Sequence, residues 1–165
     1  MHIRAETPAD HAAIAATAGA AFAAVAHSAG TEPAIIAALR DADALTISLV
    51  ACEGDTVVGH VAFSPVAIAA SEGDWFGLGP VSVLPTWQGS GIGSALITEG
   101  LAQLKALGAA GCVVLGDPRY YRRFGFTSDP TLTYGDFPAG LFQRLVFGEV
   151  SPSGAVAYHP AFAAT

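Results

Sequence analysis

The chain has 165 residues, of which 52% are hydrophobic and 13% are charged, and this composition excludes an intrinsically disordered protein. The net charge of −7 excludes a nucleic-acid-binding protein, because such proteins need a basic face to displace counterions from phosphates. No apolar run approaches the ~20 residues of a transmembrane helix, and Glu6 stands where a secretion signal would be apolar. We therefore expect a cytoplasmic protein that does not bind membranes.

The first half of the sequence predicts a strand, two helices and a hairpin. Thr7 followed by Pro8 is typical of a helix N-cap and first helical position. Ser28-Ala29-Gly30 breaks this helix, and Thr31-Glu32-Pro33 begins the next. Gly54-Asp55 indicates a tight turn between two β-rich runs. The expected elements are a strand over 3–5, helices over 8–26 and from 31 to about 40, and strands over 45–53 and 57–68.

The second half predicts further strands separated by helices. A helix is expected to connect the strands over 75–84 and 112–115, which makes these two strands parallel. The remaining expected elements are that helix over 91–107, a short helix over 120–123, and β-rich segments over 141–147 and 155–158. This order indicates one α/β domain over residues 1–165, with a mixed and mostly antiparallel sheet.

The cysteines and most histidines indicate neither a disulfide nor a metal site. Cys52 and Cys112 are far apart and each lies in an apolar run, which predicts two buried free thiols. Apart from His60, the histidines have no metal-ligand spacing to a Cys, a His or an acid; they are His2, His11, His27 and His159. We expect no metal ion.

A glycine-rich loop between a strand and a helix is typical of an anion-binding site. The loop runs Gln88-Gly89-Ser90-Gly91-Ile92-Gly93 and follows the strand segment Val81-Ser82-Val83. The first turn of a helix has unpaired N–H groups and a partial positive charge. Glycines let the backbone approach a phosphate closely, so several N–H groups can bind one pyrophosphate.

The spacing of the glycines discriminates between three ligand classes. A P-loop is excluded, because Gly93-Ser94-Ala95 contains no lysine. A dinucleotide fingerprint counted from Gly89 requires glycine where Ser94 stands, so this alternative is weakened but stays open. Gln88, Gly91 and Gly93 fit a third pattern, Q/R-x-x-G-x-G/A after Val-x-Pro, which Val83-Leu84-Pro85 supplies.

With this third pattern the sequence resembles the GNAT N-acetyltransferase superfamily, and within it the YhbS-like group of predicted acetyltransferases. The segment from Gly77 to Val83, the glycine loop, and the segment from Gly116 to Phe126 with its Tyr-x-x-x-Gly-Phe motif carry the likeness. Residues 59–64 and 158–162 also resemble that group.

The resemblance implies a GNAT-like fold and a donor site. The sheet would contain a splayed central strand pair, with helices on both faces. Acetyl-CoA would be the cosubstrate, and its pantetheine would lie along the backbone of Val81, Ser82 and Val83. Its pyrophosphate would bind the loop, namely Gln88, Gly89, Ser90, Gly91, Ile92, Gly93 and Ser94. Tyr121 would be the general acid that protonates the leaving thiolate. A homodimer is a further possibility that the resemblance implies.

The acceptor and the base are not determined by the sequence. The resemblance implies an acceptor amine on a small molecule or a peptide, and often a glutamate base, but strands 78–84 and 112–115 contain no acid. A water relay that includes Ser82 is one alternative, and His60 is another, since an unperturbed histidine pKa lies near 6.5. Glu32 could bind a cationic substrate or only favour its helix dipole. The absent glutamate also leaves open a non-catalytic acyl-CoA-binding module.

Overall fold

A computed structural model of the chain describes residues 1–26, 28–149 and 151–165, so His27 lies outside the described residues. In chain order the strands and helices are β1 (His2–Ala5), α1 (His11–Ala23), α2 (Glu32–Asp41), β2 (Ile47–Glu53), β3 (Thr56–Ile68), β4 (Trp75–Val83), α3 (Ile92–Ala106), β5 (Gly111–Leu115), α4 (Pro118–Tyr121), β6 (Thr127–Ser128), β7 (Leu132–Thr133), β8 (Phe142–Val146) and β9 (Gly154–Tyr158).

Most predicted elements are present, with differences at their ends. The first helix begins as a 3₁₀ turn over Pro8–Asp10 and ends at Ala23, three residues before the predicted end. Residues 23–26 are exposed, so no packing stabilises a further turn. The short helix after β5 begins at Pro118 rather than at Tyr120, because Asp117 caps it. The two-residue strands β6 and β7 have no periodicity from which to predict them.

The chain forms two compact units, and the first comprises Met1–Ser64, Gly79–Gly100 and Pro160–Thr165. In it β2 pairs antiparallel with both β1 and β3. Val50 of β2 lies opposite His60 of β3, and Val50 packs against Ile14 of α1 and Ile36 of α2. A Cβ atom at the neighbouring Gly59 would instead contact side chains of α3. Helices therefore cover both faces of this part of the sheet.

The second unit comprises Pro65–Leu78 and Leu101–His159. In this unit β4 pairs parallel with β5. Strand β8 pairs antiparallel with both β5 and β6. Strand β9 pairs antiparallel with β3 and parallel with β7. The parallel pairing covers Trp75–Gly77 against residues 111–113. The predicted splay of these two strands stays a prediction. The core of this unit is formed by Trp75, Val113, Leu132, Phe142 and Val156.

The predicted fold class is confirmed, with a mostly antiparallel sheet that contains a parallel pair and is flanked by helices. Cys52 and Cys112 are buried free thiols, as expected. Among the described residues, none of the helices is both long and apolar enough to cross a membrane. That residues 1–165 form one domain stays a prediction.

Candidate functional site

The glycine loop connects β4 to α3 in the first unit. Pro85–Trp87 forms a 3₁₀ turn, and the α-helix begins at Ile92, one residue after the predicted start. Gly89 and Gly91 have φ angles of +81° and +87°, and a Cβ atom at either would meet nothing within 4 Å. Glycine is therefore needed here for its backbone conformation and not for lack of space.

Side-chain hydrogen bonds hold this loop in place. The amide of Gln88 donates to the carbonyl of Val83 at 3.0 Å, and the hydroxyl of Ser90 donates to the carbonyl of Trp87 at 2.6 Å. Residues 85–91 are exposed, and the first turn of α3 contains no acid. The loop thus presents an accessible helix N-terminus that carries no opposing negative charge, which suits an anion such as a pyrophosphate.

The last residues of β4 alternate in burial. Val81 and Val83 are half-buried, while Ser82 is 1% exposed. The hydroxyl of Ser82 has no hydrogen-bond partner. A buried hydroxyl without a partner is unusual, because it loses its hydrogen bonds to water without replacement.

Tyr121 lies at the end of α4, in the second unit. Its ring packs edge-on to Tyr120 at 5.0 Å and to Phe126 at 6.0 Å between centroids. Among the described residues, none forms a hydrogen bond with its hydroxyl. Burial, assisted by the nearby Tyr120 and Cys112, raises the pKa of Tyr121 to about 12. The phenol is therefore protonated at neutral pH and can act as a hydrogen-bond donor or an acid.

The backbone around Tyr121 is held by two polar residues. Asp117 accepts a hydrogen bond from the backbone N–H of Arg119 at 2.9 Å and is the N-cap of α4. Gln143 of β8, which is buried, donates from Nε2 to the carbonyl of Gly116 at 3.1 Å. Tyr120 contacts the guanidinium of Arg123, which lies 4.3 Å from the ring centroid. Tyr120 is thus a packing residue.

His60 lies on the face of β3 that α1 and α2 cover, and it is fully buried. Its Nε2 lies 2.7 Å from the hydroxyl of Ser48, which also hydrogen-bonds the carboxylate of Glu6. Arg40 donates two hydrogen bonds to the same carboxylate, at 2.9 and 3.0 Å. We call Arg40, Glu6, Ser48 and His60 the polar chain. Burial lowers the pKa of His60 to about 4, with Glu6 opposing and Arg40 assisting this shift.

Glu32, the predicted substrate-binding acid, lies at the start of α2. Its carboxylate accepts a hydrogen bond from the hydroxyl of Ser28, four residues earlier in the chain. It therefore has a structural contact, whereas a contact with a substrate stays a prediction. Among the described residues, His, Cys, Asp and Glu form no group of three or more that could hold a metal ion.

Comparisons with known proteins show the family. The sequence model of the acetyltransferase (GNAT) domain matches residues 45–128. The chain belongs to the GNAT family of acetyltransferases. It is 55% identical to a GNAT family acetyltransferase from Brucella melitensis, solved in complex with acetyl-CoA, over 98% of this chain and 97% of that one, with a TM-score of 0.87.

Two comparisons concern the GNAT protein YhbS of Escherichia coli. Its crystal structure in complex with CoA is 32% identical, covers 98% of this chain and 91% of that one, and has a TM-score of 0.88. The protein from strain K12, named as an uncharacterized N-acetyltransferase, is 41% identical over 96 residues. That match spans 58% of this chain and 58% of the relative's length. The resemblance to the YhbS-like group is thereby confirmed, and the dinucleotide-binding alternative is set aside.

The GNAT assignment does not identify the individual site residues. The structure places Val81, Ser82, Val83 and the glycine loop together in the first unit, with His60 and Glu32, and it places Tyr121 in the second unit. Sequence reasoning missed Glu6, Ser48 and Gln143 as site-related residues. No motif contains them, because their partners lie 42, 12 and 27 positions away in the chain.

Proposed function

We propose that this chain is an N-acetyltransferase that moves an acetyl group from acetyl-CoA to the primary amine of a small molecule or peptide. The observation that carries this proposal is the glycine loop, in which Gly89 and Gly91 adopt left-handed backbone conformations immediately before α3. The similar proteins from Brucella melitensis and Escherichia coli, which were solved with acetyl-CoA and CoA, support the choice of donor.

The donor would bind through main-chain groups of the first unit. The backbone from Gln88 to Ser94 would hold the pyrophosphate at the N-terminus of α3. Val81, Ser82 and Val83 would pair with the amides of the pantetheine, and a main-chain N–H of this strand would polarise the acetyl carbonyl. Acetyl-CoA supplies a thioester that a neutral amine attacks directly.

Tyr121 would act as the general acid. When the bond between the acetyl carbon and sulfur breaks, the Tyr121 hydroxyl would donate its proton to the leaving thiolate and regain one from solvent afterwards. Burial raises the pKa of this phenol to about 12, so the hydroxyl carries its proton throughout the neutral range and can donate a hydrogen bond to the thiolate as the sulfur leaves. The lack of a hydrogen-bond partner for the hydroxyl among the described residues also leaves it available.

We further propose how the acceptor binds and how the protein assembles. Glu32 would attract a cationic acceptor at the start of α2, because a carboxylate favours an ammonium group. A single domain over residues 1–165, a cytoplasmic location and a homodimer complete the proposal. Size-exclusion chromatography with light scattering tests the homodimer, which would elute at twice the mass of the chain.

A second candidate is a module that binds acyl-CoA without turning it over. The absence of any acidic residue from β4 and β5 favours it, because no carboxylate in these strands can accept the proton of the amine. The two candidates share the donor site and differ in turnover. They are therefore distinguished by an assay of acetyl transfer and not by binding.

The decisive experiment measures acetyl transfer to a panel of amino acids, polyamines, peptides and amine drugs, with acetyl-CoA affinity measured separately. We expect turnover of at least one amine. Tyr121→Phe should lower kcat about 100-fold with unchanged affinity, and Tyr120→Phe serves as the matched control with near-normal kcat. Acetyl-CoA binding without turnover of any amine would favour the module, and an absence of binding would contradict both candidates.

A further inference from the structure

The hydrogen bonds of the polar chain determine which nitrogen of His60 carries its proton. Burial raises the pKa of Glu6, but hydrogen bonds from Arg40 and Ser48 outweigh it and keep this pKa below its usual value. An ionised carboxylate only accepts hydrogen bonds, so the single hydroxyl proton of Ser48 points to Glu6. Ser48 must then accept from His60, whose Nε2 carries the proton.

The other ring nitrogen of His60 is consequently a bare acceptor. Nδ1 is buried and has no hydrogen-bond partner. A neutral imidazole with a proton on Nε2 has a lone pair on Nδ1, which is the form that accepts a proton. Leaving such a lone pair unpaired in the interior costs free energy. This cost indicates a use for the nitrogen beyond packing.

The register of β3 and β4 places this histidine next to Ser82. The N–H of Leu84 donates to the carbonyl of Val58 at 2.9 Å, so these residues lie opposite each other in the antiparallel pair. Two residues further along each strand from the Val58–Leu84 pair, His60 of β3 lies opposite Ser82 of β4. The side chains of two directly opposed residues lie on the same face of the sheet. Both side chains are buried, and Ser82 Oγ and His60 Nδ1 are both without partners.

We infer that Nδ1 of His60 is the proton acceptor of acetyl transfer, reached from the amine through the hydroxyl of Ser82 and a bridging water molecule. This inference rests on the proposed function, in which the acetyl group lies beside Val81, Ser82 and Val83. The amine nitrogen forms a bond to the acetyl carbon as the carbon–sulfur bond breaks. The proton lost by the amine arrives at Nδ1, and Tyr121 supplies the separate proton that the thiolate takes.

The charges around His60 suit a transient proton. Glu6 at the end of β1 lies 4.0 Å from Nε2 and stabilises the imidazolium, whereas Arg40 of α2 destabilises it. His11 of α1 contacts the outer side of Glu6 at 3.0 Å. Burial keeps His60 neutral before transfer and favours release of the proton afterwards, and it also makes the ring a weaker base than an unperturbed histidine. An open pocket of about 270 Å³ is lined by Glu6, Arg40 and Ser48. These residues of the polar chain, unlike His60, therefore face solvent.

His60→Gln tests the inference, because the glutamine amide can still donate to Ser48 but cannot accept a proton. We expect kcat for the best amine of the panel to fall about 100-fold at pH 7. The loss should shrink to less than about tenfold near pH 10, where an alkylamine deprotonates by itself. Affinity for acetyl-CoA should not change. Equal losses at both pH values, or no loss at all, would overturn the inference.

Two further variants keep the test interpretable. Ser82→Ala leaves the polar chain intact and should lower kcat at pH 7 with the same recovery at high pH, even if His60→Gln fails to fold. Ser64→Ala is the matched control, because Ser64 on β3 also has a buried hydroxyl without a partner but lies outside the path. If the parent protein acetylated no amine, the proposed function itself would be contradicted. If the parent and both variants, His60→Gln and Ser82→Ala, were fully active, only this inference would be contradicted.

Discussion

Gly116 and Tyr121 are in such close contact that a Cβ atom at Gly116 would lie 2.4 Å from Cε2 of the Tyr121 ring. The backbone of Gly116 is not in the left-handed region, so the obstacle to a side chain is steric. The carbonyl of Gly116 is held by Gln143 of β8. The glycine therefore lets the proposed general acid lie against the end of β5, and a methyl group there would displace the ring.

Gly116→Ala should lower kcat about tenfold or more, because a displaced Tyr121 loses its alignment with the thiolate. Acetyl-CoA affinity should change little, and steady-state kinetics combined with calorimetry measure the two effects separately. Gly140→Ala is the control, since a Cβ atom there would meet nothing within 4 Å. Unchanged kcat in Gly116→Ala would argue against a catalytic role for the Tyr121 ring.

Gly91→Ala should weaken acetyl-CoA binding, because alanine disfavours the left-handed backbone by about 1 to 2 kcal/mol. A loop that must adopt this conformation to bind would lose about tenfold in affinity. Gly54→Ala is the matched control. It introduces a similar backbone strain in the hairpin between β2 and β3, where the φ angle of Gly54 is +58°. It should lower the melting temperature without altering affinity. Equal affinity in both variants would mean that Gly91 does not shape the donor site.

Asp10→Asn should destabilise the fold at neutral pH by about 1 to 2 kcal/mol. The buried Asp10 carboxylate accepts two hydrogen bonds from Arg4, at 2.6 and 3.0 Å, and one from the Thr7 N–H at 2.7 Å. The Arg4 hydrogen bonds, together with those of Thr7, outweigh burial and hold the pKa of Asp10 far below its usual range.

The lowered pKa of Asp10 determines how the stability of the fold changes with pH. A carboxyl with a lowered folded-state pKa contributes stability above its unfolded pKa of roughly 3.9, and that stability is lost as the pH falls below it. Urea denaturation from pH 7 to pH 3 should therefore show a smaller loss of stability in Asp10→Asn than in the parent. Asp55→Asn, in an exposed turn, should behave like the parent; a parallel loss in all three proteins would refute this account.

Two glycines in helices should respond oppositely to alanine. Gly100 of α3 faces the buried Phe63, whose Cε1 would lie 2.1 Å from an added Cβ atom. Gly100→Ala should therefore destabilise by about 1 to 3 kcal/mol through overpacking. Gly19 of α1 has its nearest neighbour at 3.9 Å, so Gly19→Ala should stabilise by up to about 1 kcal/mol. Chemical denaturation measures both, and a gain in stability for Gly100→Ala would contradict the packing described.

The sequence allowed prediction of features encoded by neighbouring residues. The glycine spacing predicted the loop, and the strand order predicted the parallel pair of β4 and β5. Thr7 followed by Pro8 predicted a helix start, but the sequence does not predict the ion pair of Asp10 with Arg4. The polar chain was not foreseen either, because it joins Glu6 to residues 34 and 42 positions away. Such contacts follow from the pairing of β1, β2 and β3 and from the packing of α2, which no local pattern specifies.

Titration of the chain with acetyl-CoA in a calorimeter tests the central claim most directly, because the proposed donor site depends on the glycine loop. The account predicts binding to a single site per chain, with a dissociation constant between about 1 μM and 1 mM, that Gly91→Ala weakens. An absence of binding heat at millimolar acetyl-CoA, with the chain folded, would contradict it.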